Sequence, residues 1–415
     1  MLSKCKRDKE EVVEMTQKKD ITFLIKVMNG GGAERVITIL SKALVQRGYR
    51  VNLILTHQRK EDAQLKEIDK EITVFSLVDE VKDKKAGFKS ELIMLEARLR
   101  GKITRMISGK PSDILLIKKY LVRNYEKVSW LREYFERHKN EIAIAFLYDS
   151  IFLTLLSKSK NTRVIISERG DPQQSAASKT TMAFLHEMFP KVDKMVFQSP
   201  DVCKWYRDKM SVNGKIIFNP IKSDLPEPFT GERQKKIVNF CRISEQKNLE
   251  LLVNAFAKVN QDYPEYELFI YGDAVGNGAE GYLEKVEQLI LSKELTESVH
   301  MLSGRRNIHE VIKDYKMFVS SSDFEGMSNS MLEAVAIGLP VVCTDCPAGG
   351  ARAVIRDYEN GILVPVRDEE KLYLAMKEVI EDSELAERLS QNAIIIREEQ
   401  SVEKIIEQWM EIIND

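Results

Sequence analysis

Cysteine is scarce in this 415-residue sequence, and its five cysteines are scattered at positions 5, 203, 241, 343 and 346. Such scatter argues against a disulfide framework and fits a reducing compartment. No apolar run approaches the roughly 18 residues that a membrane-spanning helix requires. The opening segment, MLSKCKRDKEEVVEMTQKKD, is charged throughout and lacks the apolar centre of a secretory signal. We therefore expect a cytoplasmic protein.

Metal-binding patterns are also missing from the sequence. The five histidines show no metal-ligand spacing, and no two aspartates stand in a D-x-D pair. The single C-x-x-C pair, Cys343 and Cys346, is better interpreted as two reduced thiols after a core strand than as a redox site. We therefore expect no metal and no bound cofactor.

Composition excludes several further classes of protein. With 20 glycines and 11 prolines the chain is neither collagen-like nor of low complexity, and 43% hydrophobic residues exclude intrinsic disorder. A chain of this length predicts two well-packed domains of about 200 residues each.

Charge is unevenly distributed although the net charge is only −1. Residues 1–220 carry a net charge of +14, and residues 221–415 carry −15. The most basic stretch, residues 82–127, contains 13 Lys/Arg and five Asp/Glu, with apolar residues at helical spacing. It is interpreted either as a helix on an anionic lipid surface or as a solvated helix packed on a domain core. No nucleic-acid-binding module accompanies the basic half, so nucleic acid is not an expected partner.

Short apolar runs alternate with helical patterns from end to end, which is typical of parallel sheets buried on both faces. The predicted strands are 21–28, 51–56, 72–78, 142–148, 164–167, 195–198 and 216–219, then 237–241, 268–271, 299–302, 317–320 and 341–344. A Pro-rich polar segment, NPIKSDLPEPFTGERQKK, is predicted to link two doubly wound domains at residues 1–219 and 220–395. Residues 1–20 are expected to be disordered or peripheral, and residues 396–415 to form a helix near the domain junction.

Ligands of open α/β sheets bind beyond the carboxyl ends of the strands. The first predicted strand runs into a glycine loop, Gly30, Gly31 and Gly32, and then a helix, an arrangement that lets an anion approach backbone N–H groups. The loop lacks the G-x-G-x-x-G spacing of a dinucleotide site, and a tight structural turn is the alternative. In the second half, Arg242 and Lys247 follow strand 237–241 and could clamp a diphosphate or could be ordinary surface charges.

The most informative segment is MFVSSSDFEGMSNSMLEAVAIGLPVVCTD. A strand ends in serines, a loop carries Glu325, and a short helix begins near Ser328 and Asn329, where free N–H groups suit phosphate oxygens. Glu333 lies in an apolar helix, so its carboxylate requires hydrogen-bond partners. Vicinal sugar hydroxyls would satisfy it, and the alternative is a pairing with a nearby arginine.

These residues resemble retaining glycosyltransferase family four. Glu325 and Glu333, seven residues apart, match its E-x7-E signature, and FCRISEQKNLELLVNAF, LFIYGDAVGNG, GRRNIHEVIKDYKMFVSSS, ENGILVPV and the Gly-Gly-Gly-Ala-Glu loop also follow the family pattern. The similarity covers the chain from about Ile21 onward. The segments ISERGDP and TDCPAGGAR resemble a bacterial subgroup that builds capsular, exopolysaccharide or lipid-linked oligosaccharide chains.

The resemblance implies the GT-B fold, in which two Rossmann-like domains face each other across a cleft, and metal-independent sugar transfer from a nucleotide diphosphate. Arg242 and Lys247 would neutralise the diphosphate, Glu325 would contact the donor sugar, and Glu333 would hold the ribose. The remaining donor-binding residues are expected to be Gly31, Gly32, Arg306, Asn307, Gly326, Met327, Ser328 and Asn329. The implied donor is a UDP-hexose or UDP-N-acetylhexosamine.

The acceptor is expected to be a lipid-linked bacterial cell-surface glycan, reached from the inner face of the cell membrane. A soluble synthase with a small-molecule acceptor and a non-catalytic nucleotide-binding scaffold are the alternatives. Many relatives place a histidine or asparagine after the mid-domain strand, where this chain reads AFLYDS. Asp149, Arg169 and Asp171 lie in that region, and the residue that activates the acceptor stays open among them.

Overall fold

The computed structural model describes residues 20–81, 113–138, 141–276 and 278–415. Residues 1–19, most of the segment predicted to be disordered or peripheral, and residues 82–112, which form most of the basic stretch, lie outside the described residues. None of the described helices is long and apolar enough to cross a membrane.

The N-terminal sheet has seven parallel strands in the order β3-β2-β1-β4-β5-β6-β7. Its strands are β1 (Ile21–Ile25), β2 (Val51–Leu55), β3 (Thr73–Ser76), β4 (Ile142–Phe146), β5 (Arg163–Ser167), β6 (Lys194–Phe197) and β7 (Lys215–Ile216). Every residue of β1, β2 and β4 is buried, because helices cover both faces of the sheet. The apolar runs of the sequence reflect this double burial.

Helices alternate with these strands along the chain. They are α1 (Gly32–Gln46), α2 (Leu77–Glu80), α3 (Asp113–Arg123), α4 (Tyr125–Arg137), α5 (Tyr148–Ser157), α6 (Pro172–Ser175), α7 (Lys179–Glu187) and α8 (Pro200–Met210), with a 3-10 turn at Phe189–Lys191. Residues 113–127, the described end of the basic stretch, therefore form α3 and the start of α4.

The C-terminal sheet has six parallel strands in the order β10-β9-β8-β11-β12-β13. They are β8 (Gln234–Phe240), β9 (Glu267–Tyr271), β10 (Val299–Leu302), β11 (Tyr315–Ser320), β12 (Val341–Thr344) and β13 (Ile362–Val364). Strand β13 was not among the predicted strands, because three residues show too little periodicity to be recognised.

The following helices pack around and beyond the C-terminal sheet: α9 (Leu249–Asp262), α10 (Ala279–Ser292), α11 (Ile308–Ile312), α12 (Asn329–Ala336), α13 (Glu369–Glu381), α14 (Ser383–Ala393), α15 (Ile396–Glu399) and α16 (Val402–Asn414), with a 3-10 turn at Glu245–Lys247. The two doubly wound parallel sheets confirm the predicted α/β fold class.

The last helix returns to the first sheet. Residues Ile405, Ile406, Trp409, Ile412 and Ile413 of α16 are buried in the same cluster as β1, β2 and β4. Trp409 stacks on Phe146 of β4, with 6.2 Å between the ring centroids. The chain thus crosses between the two sheets twice.

Candidate functional site

The carboxyl ends of strands from both sheets meet at one place. The glycine loop follows β1, and the side-chain amide of Asn329, at the start of α12, donates to the carbonyl of Gly32 over 3.1 Å. A Cβ atom on Gly32 would lie 3.4 Å from that amide, so the two segments are in contact. The predicted donor loops of the two halves therefore face each other.

Lys247 and Glu325 form an ion pair beside this junction. Both side chains are largely buried, and the hydroxyl of Ser322 donates to the same oxygen of Glu325 over 3.1 Å. Burial is the largest single effect and would lower the pKa of the Lys247 ammonium, but the charge of Glu325, its hydrogen bond and the nearby Cys241 together outweigh burial and raise that pKa. Lys247 therefore stays a cation in a poorly hydrated position.

Backbone contacts hold the segments that carry this pair. The Asp323 N–H donates to the carbonyl of Gln246 over 3.0 Å, and the Gln246 amide donates to the carbonyl of Phe324 over 2.8 Å. The Ser321 hydroxyl donates to the carbonyl of Lys247 over 2.9 Å. The loops after β8 and β11 thus behave as one unit, as expected for neighbouring strands.

Arg242 lies on the same loop as Lys247 but is exposed. No ion pair involves it in the portion of the chain that the structure describes. Its charge acts on Lys247 by repulsion and opposes the effect of Glu325 on the pKa of that ammonium. The loop therefore presents a cation that has no carboxylate partner of its own.

Helix α12 begins beside these charges. Ser328 is its N-cap, and its hydroxyl accepts from the N–H of Met331 over 3.4 Å. The hydroxyl of Ser328 is thus used within the helix, and the positive end of the helix is directed at the junction. Gly326 and Met327 precede the cap.

Gly326 is glycine because another segment lies against it. A Cβ atom there would lie 2.5 Å from the carbonyl oxygen of Arg169 and 2.7 Å from Oε1 of Gln198. Both of these residues follow strands of the N-terminal sheet. The loop before α12 can therefore approach the first domain this closely only without a side chain.

Glu333 is almost completely enclosed, with a side chain 5% exposed. Its Oε2 lies 2.9 Å from Nε2 of His309, and its Oε1 pairs with the guanidinium of Arg35 from the first domain. Burial opposes the charged form, yet His309 and Arg35 hold the pKa of Glu333 below its ordinary value. The arginine pairing that the sequence left open is therefore present.

Arg306 and Asn307 are exposed in the loop between β10 and α11. Asn307 is the residue before α11, whose His309 contacts Glu333. The loop consequently lies beside the Glu333 carboxylate, at the carboxyl edge of the sheet.

The glycine loop is held by Glu34 of α1. Gly30 has a φ of +87°, which favours glycine. The Glu34 carboxylate accepts from the N–H groups of Asn29, over 2.5 Å, and Gly31, over 2.7 Å. These two N–H groups are therefore engaged by the chain itself, and Gly32 is the residue that touches Asn329.

A buried asparagine at the end of the first domain joins the two halves. Asn219 donates to Oδ1 of Asn329 over 2.6 Å, and its own Oδ1 accepts from Arg169 and Gln198, each over 2.7 Å. Burial lowers the pKa of the Arg169 guanidinium to about 9. Asn219 thus ties buried groups of the N-terminal sheet to the start of α12.

Residues 222–395 match the family model described as glycosyl transferases group 1. The match contains Arg242, Lys247, Glu325 and Glu333, and it spans the whole C-terminal sheet. We call the matched residues, 222–395, the group 1 domain.

Known proteins resemble the chain beyond the group 1 domain. It is 25% identical over 342 residues to an uncharacterized glycosyltransferase of Methanocaldococcus jannaschii, which covers 70% of this chain and 82% of that protein. It is 28% identical over 256 residues to the N-acetylgalactosamine-N,N'-diacetylbacillosaminyl-diphospho-undecaprenol 4-alpha-N-acetylgalactosaminyltransferase of Campylobacter jejuni, covering 58% and 67% of the two chains.

A solved structure shows the same fold over both domains. S. aureus TarM, in complex with Fondaparinux, alpha-GlcNAc-glycerol and UDP, superimposes with a TM-score of 0.74 at 16% identity, covering 96% of this chain and all of that one. The fold of the chain is therefore GT-B.

Outside the group 1 domain, polar groups gather after β1, β2 and β4, which are neighbours in the sheet. Lys26 pairs with Asp149 at 2.7 Å, and Lys127 donates to the carbonyl of Thr56 over 2.8 Å. Burial and the Lys127 charge lower the pKa of His57 to about 4. We call Lys26, His57, Lys127 and Asp149 the N-terminal polar cluster, and it lies at the same edge as the glycine loop.

The three residues left open for acceptor activation have different surroundings. Asp171 accepts from the N–H of Gln173 over 2.8 Å and caps α6, and Arg169 is buried against Asn219. Asp171 and Arg169 therefore have structural roles. Asp149 is partly exposed beside Lys26, following Leu147, whose φ of +66° marks a sharp turn from strand into helix.

The two cysteines of the C-x-x-C pair are free buried thiols within the group 1 domain. Burial raises the pKa of Cys346 to about 12, and the Cys346 thiol contacts the carbonyl of Ser322 at 3.2 Å. Over the residues described, no three His, Cys, Asp or Glu side chains converge to hold a metal ion.

Arg35, Asn219 and His309 were not among the predicted site residues. Arg35 lies in the first turn after the glycine loop, Asn219 at the predicted linker, and His309 three residues after Arg306. In the sequence, only the proximity of these three residues to predicted elements could have indicated that they belong to the site.

Proposed function

We propose that this chain is a retaining glycosyltransferase that moves a hexose or N-acetylhexosamine from a UDP-sugar to a lipid-linked bacterial cell-surface glycan. The observation that carries the proposal is the convergence of Lys247, Glu325 and Glu333 around the positive end of α12, facing the glycine loop. A GT-B fold and a group 1 domain support the same conclusion.

Each group has a defined role in this proposal. Arg242, Lys247 and the start of α12 stabilise the negative charge that develops on the departing diphosphate, which is where a fixed positive field acts most strongly. Glu325, oriented by Lys247, accepts from donor-sugar hydroxyls, and Glu333 accepts from the ribose. Arg306 and Asn307 border the nucleobase. The cations take the place that a divalent metal occupies in other transferases.

In this proposal, retention results from attack on the face of the sugar that the diphosphate leaves. The bond between the anomeric carbon and the diphosphate oxygen breaks, and an acceptor hydroxyl forms the new bond on the same face of the sugar. The departing phosphate takes the hydroxyl proton. Glu325 is held by Lys247 and Ser322, so it is not proposed as a covalent nucleophile.

The acceptor is proposed to enter over the N-terminal polar cluster. Lys127 is a half-buried cation whose hydrogen bond goes to a backbone carbonyl, and it lies in the basic half of the chain. Such a cation suits an acceptor that carries phosphate. The C. jejuni relative acts, by its name, on a diphospho-undecaprenol acceptor, which supports the lipid-linked assignment and a position on the inner face of the membrane.

The donor assignment is tested by nucleotide binding and turnover. UDP is expected to raise the melting temperature more than GDP or ADP, because UDP accompanies the structurally similar TarM. Glu333→Gln is expected to weaken UDP binding about 10-fold or more, and Lys247→Ala to lower kcat about 100-fold or more. Lys293→Ala, an exposed change in the same domain, is the control. Unchanged UDP affinity in Glu333→Gln together with unchanged kcat in Lys247→Ala would refute the site.

The acceptor assignment is tested by vesicle flotation. The wild-type chain is expected to float with vesicles that contain anionic phospholipid, because its basic half is attracted to negative headgroups. With neutral vesicles it is expected not to float. Equal behaviour with both vesicles would favour the soluble synthase with a small-molecule acceptor.

A further inference from the structure

Both oxygens of the enclosed Glu333 carboxylate already have a basic partner. His309 occupies Oε2 and Arg35 occupies Oε1, and the side chain is only 5% exposed. A ribose that binds Glu333 must therefore replace one of these partners. His309 is buried and lies on α11 of the same domain, whereas the Arg35 side chain is 32% exposed and comes from the other domain.

Arg35 is the partner that can leave. It stands in the first turn of α1, where its N–H donates to the carbonyl of Gly31 over 3.0 Å. The contact with Glu333 is the ion pair that the structure gives to its guanidinium. An arginine side chain has several rotatable bonds and a fork of donors that matches phosphate as well as carboxylate.

The positive end of α12 is within reach of the released group. Glu333 lies four residues after Asn329, so about one helical turn separates it from the start of α12. Gly32, three residues before Arg35, already contacts Asn329 at that start. A guanidinium that leaves Glu333 thus needs to move only about one turn along α12 to reach the place proposed for the diphosphate.

We infer that Arg35 exchanges partners when the donor binds: the ribose hydroxyls replace it on Glu333, and its guanidinium moves to the diphosphate. This inference rests on the proposed function and adds a third cation, from the first domain, to Arg242 and Lys247. In the ligand-free chain the pair with Glu333 satisfies a buried carboxylate. With the donor bound, the same cation acts on the leaving group.

The exchange predicts opposite effects on two ligands. Uridine offers a ribose but no phosphate, so its binding breaks the Arg35 pair without compensation. UDP also brings a diphosphate, and its contact with the released guanidinium compensates for the broken pair. Arg35→Ala should therefore lower the Kd of uridine about 5-fold or more, and should lower the ratio of the uridine Kd to the UDP Kd about 10-fold or more.

Calorimetric titration of the full chain with uridine and with UDP tests this. Arg35→Lys keeps the charge but loses the fork, so its ratio of dissociation constants should fall between those of the wild type and Arg35→Ala. Lys42→Ala removes an exposed cation from the same helix and should match the wild type for both ligands. Turnover of the UDP-sugar should fall about 100-fold in Arg35→Ala, mainly in kcat.

Two results would overturn the inference. Uridine affinity that is unchanged or weaker in Arg35→Ala would mean that the ribose does not displace Arg35. An unchanged ratio between the two ligands would mean that Arg35 does not reach the diphosphate. Both results apply only if the wild type binds UDP. A wild type that binds neither uridine nor UDP would refute the proposed function, and this inference with it.

Discussion

Several charged side chains in this protein are buried, and each is held in a different way. Glu333 has two basic partners, Lys247 has a carboxylate, and Arg169 has neutral acceptors and an aromatic ring, with its guanidinium carbon 4.6 Å from the Phe146 centroid. Glu141 is held through one of its two oxygens. Its Oε1 accepts from Tyr134 over 3.1 Å and from Thr22, and its Oε2 has no hydrogen-bond partner among the described residues.

Glu141 predicts a loss of stability as the pH rises from about 4.5 to about 7. Burial raises the pKa of its carboxyl from an ordinary 4.5 to about 7. The folded state therefore favours the protonated form, and this contribution to stability is present below about pH 4.5 and lost as the pH rises through 7. Glu141→Gln should raise the free energy of unfolding at pH 8 by on the order of 2 kcal/mol and leave it unchanged at pH 4.5.

Urea unfolding at pH 4.5, 6 and 8 measures this difference. Glu136→Gln, an exposed change on the preceding helix, should leave the wild-type pH dependence intact. If Glu141→Gln loses as much stability between pH 4.5 and 8 as the wild type does, folding does not raise the pKa of the Glu141 carboxyl.

Helix α9 shows how one element positions the site. Its N-cap, Asn248, has left-handed backbone angles with a φ of +44°. The side chain accepts from the Leu251 N–H over 3.2 Å and donates to Asp323 over 2.8 Å, so it joins the loop of Lys247 to the loop of Glu325. Asparagine combines these roles because it caps helices well and tolerates the left-handed conformation.

Asn248→Ala and Asn248→Gly are expected to separate the two roles. Both variants lose the helix cap and the contact with Asp323. Only Asn248→Ala also suffers the strain of holding a residue with a Cβ atom in the left-handed conformation. The free energy of unfolding of Asn248→Ala should therefore be lower than that of Asn248→Gly by about 1 kcal/mol. Both variants should show a lower kcat than the wild type. Urea unfolding and turnover measure the two effects, and equal stability of the two variants would contradict the backbone argument.

Charge complementarity operates across the whole molecule. The basic first half and the acidic second half meet through pairs such as Arg35 with Glu333, Lys194 with Asp415 and Lys215 with Glu411. Part of the asymmetry along the sequence is therefore internal, because acidic α16 lies against the basic domain.

Trp409 is expected to affect both domains. It packs against Phe146 and lies 5.9 Å from the Arg169 guanidinium, which in turn holds Asn219 and, through it, the start of α12. Trp409→Ala should lower the free energy of unfolding by about 3–5 kcal/mol and weaken UDP binding as well. Trp409→Phe keeps a stacking ring and should lose less of both.

Calorimetric melting and UDP titration of the two variants test this coupling. A Trp409→Ala chain that is destabilised yet binds UDP as tightly as the wild type would show that the contact supports the first domain alone. Equal stability of the alanine and phenylalanine variants would show that ring stacking at this position is unimportant.

The amino-acid sequence by itself determined the alternation of strands and helices, the α/β class, the loops that carry Lys247 and Glu325, and the helix that carries Glu333. These follow from local periodicity and from the rule that parallel strands end at one edge. Only the tertiary structure decided that Arg35 pairs with Glu333, 298 residues away, that Asn219 joins the halves and that α16 returns to the first sheet. Such contacts depend on how two separately folded domains are placed against each other, and spacing along one chain does not encode that placement.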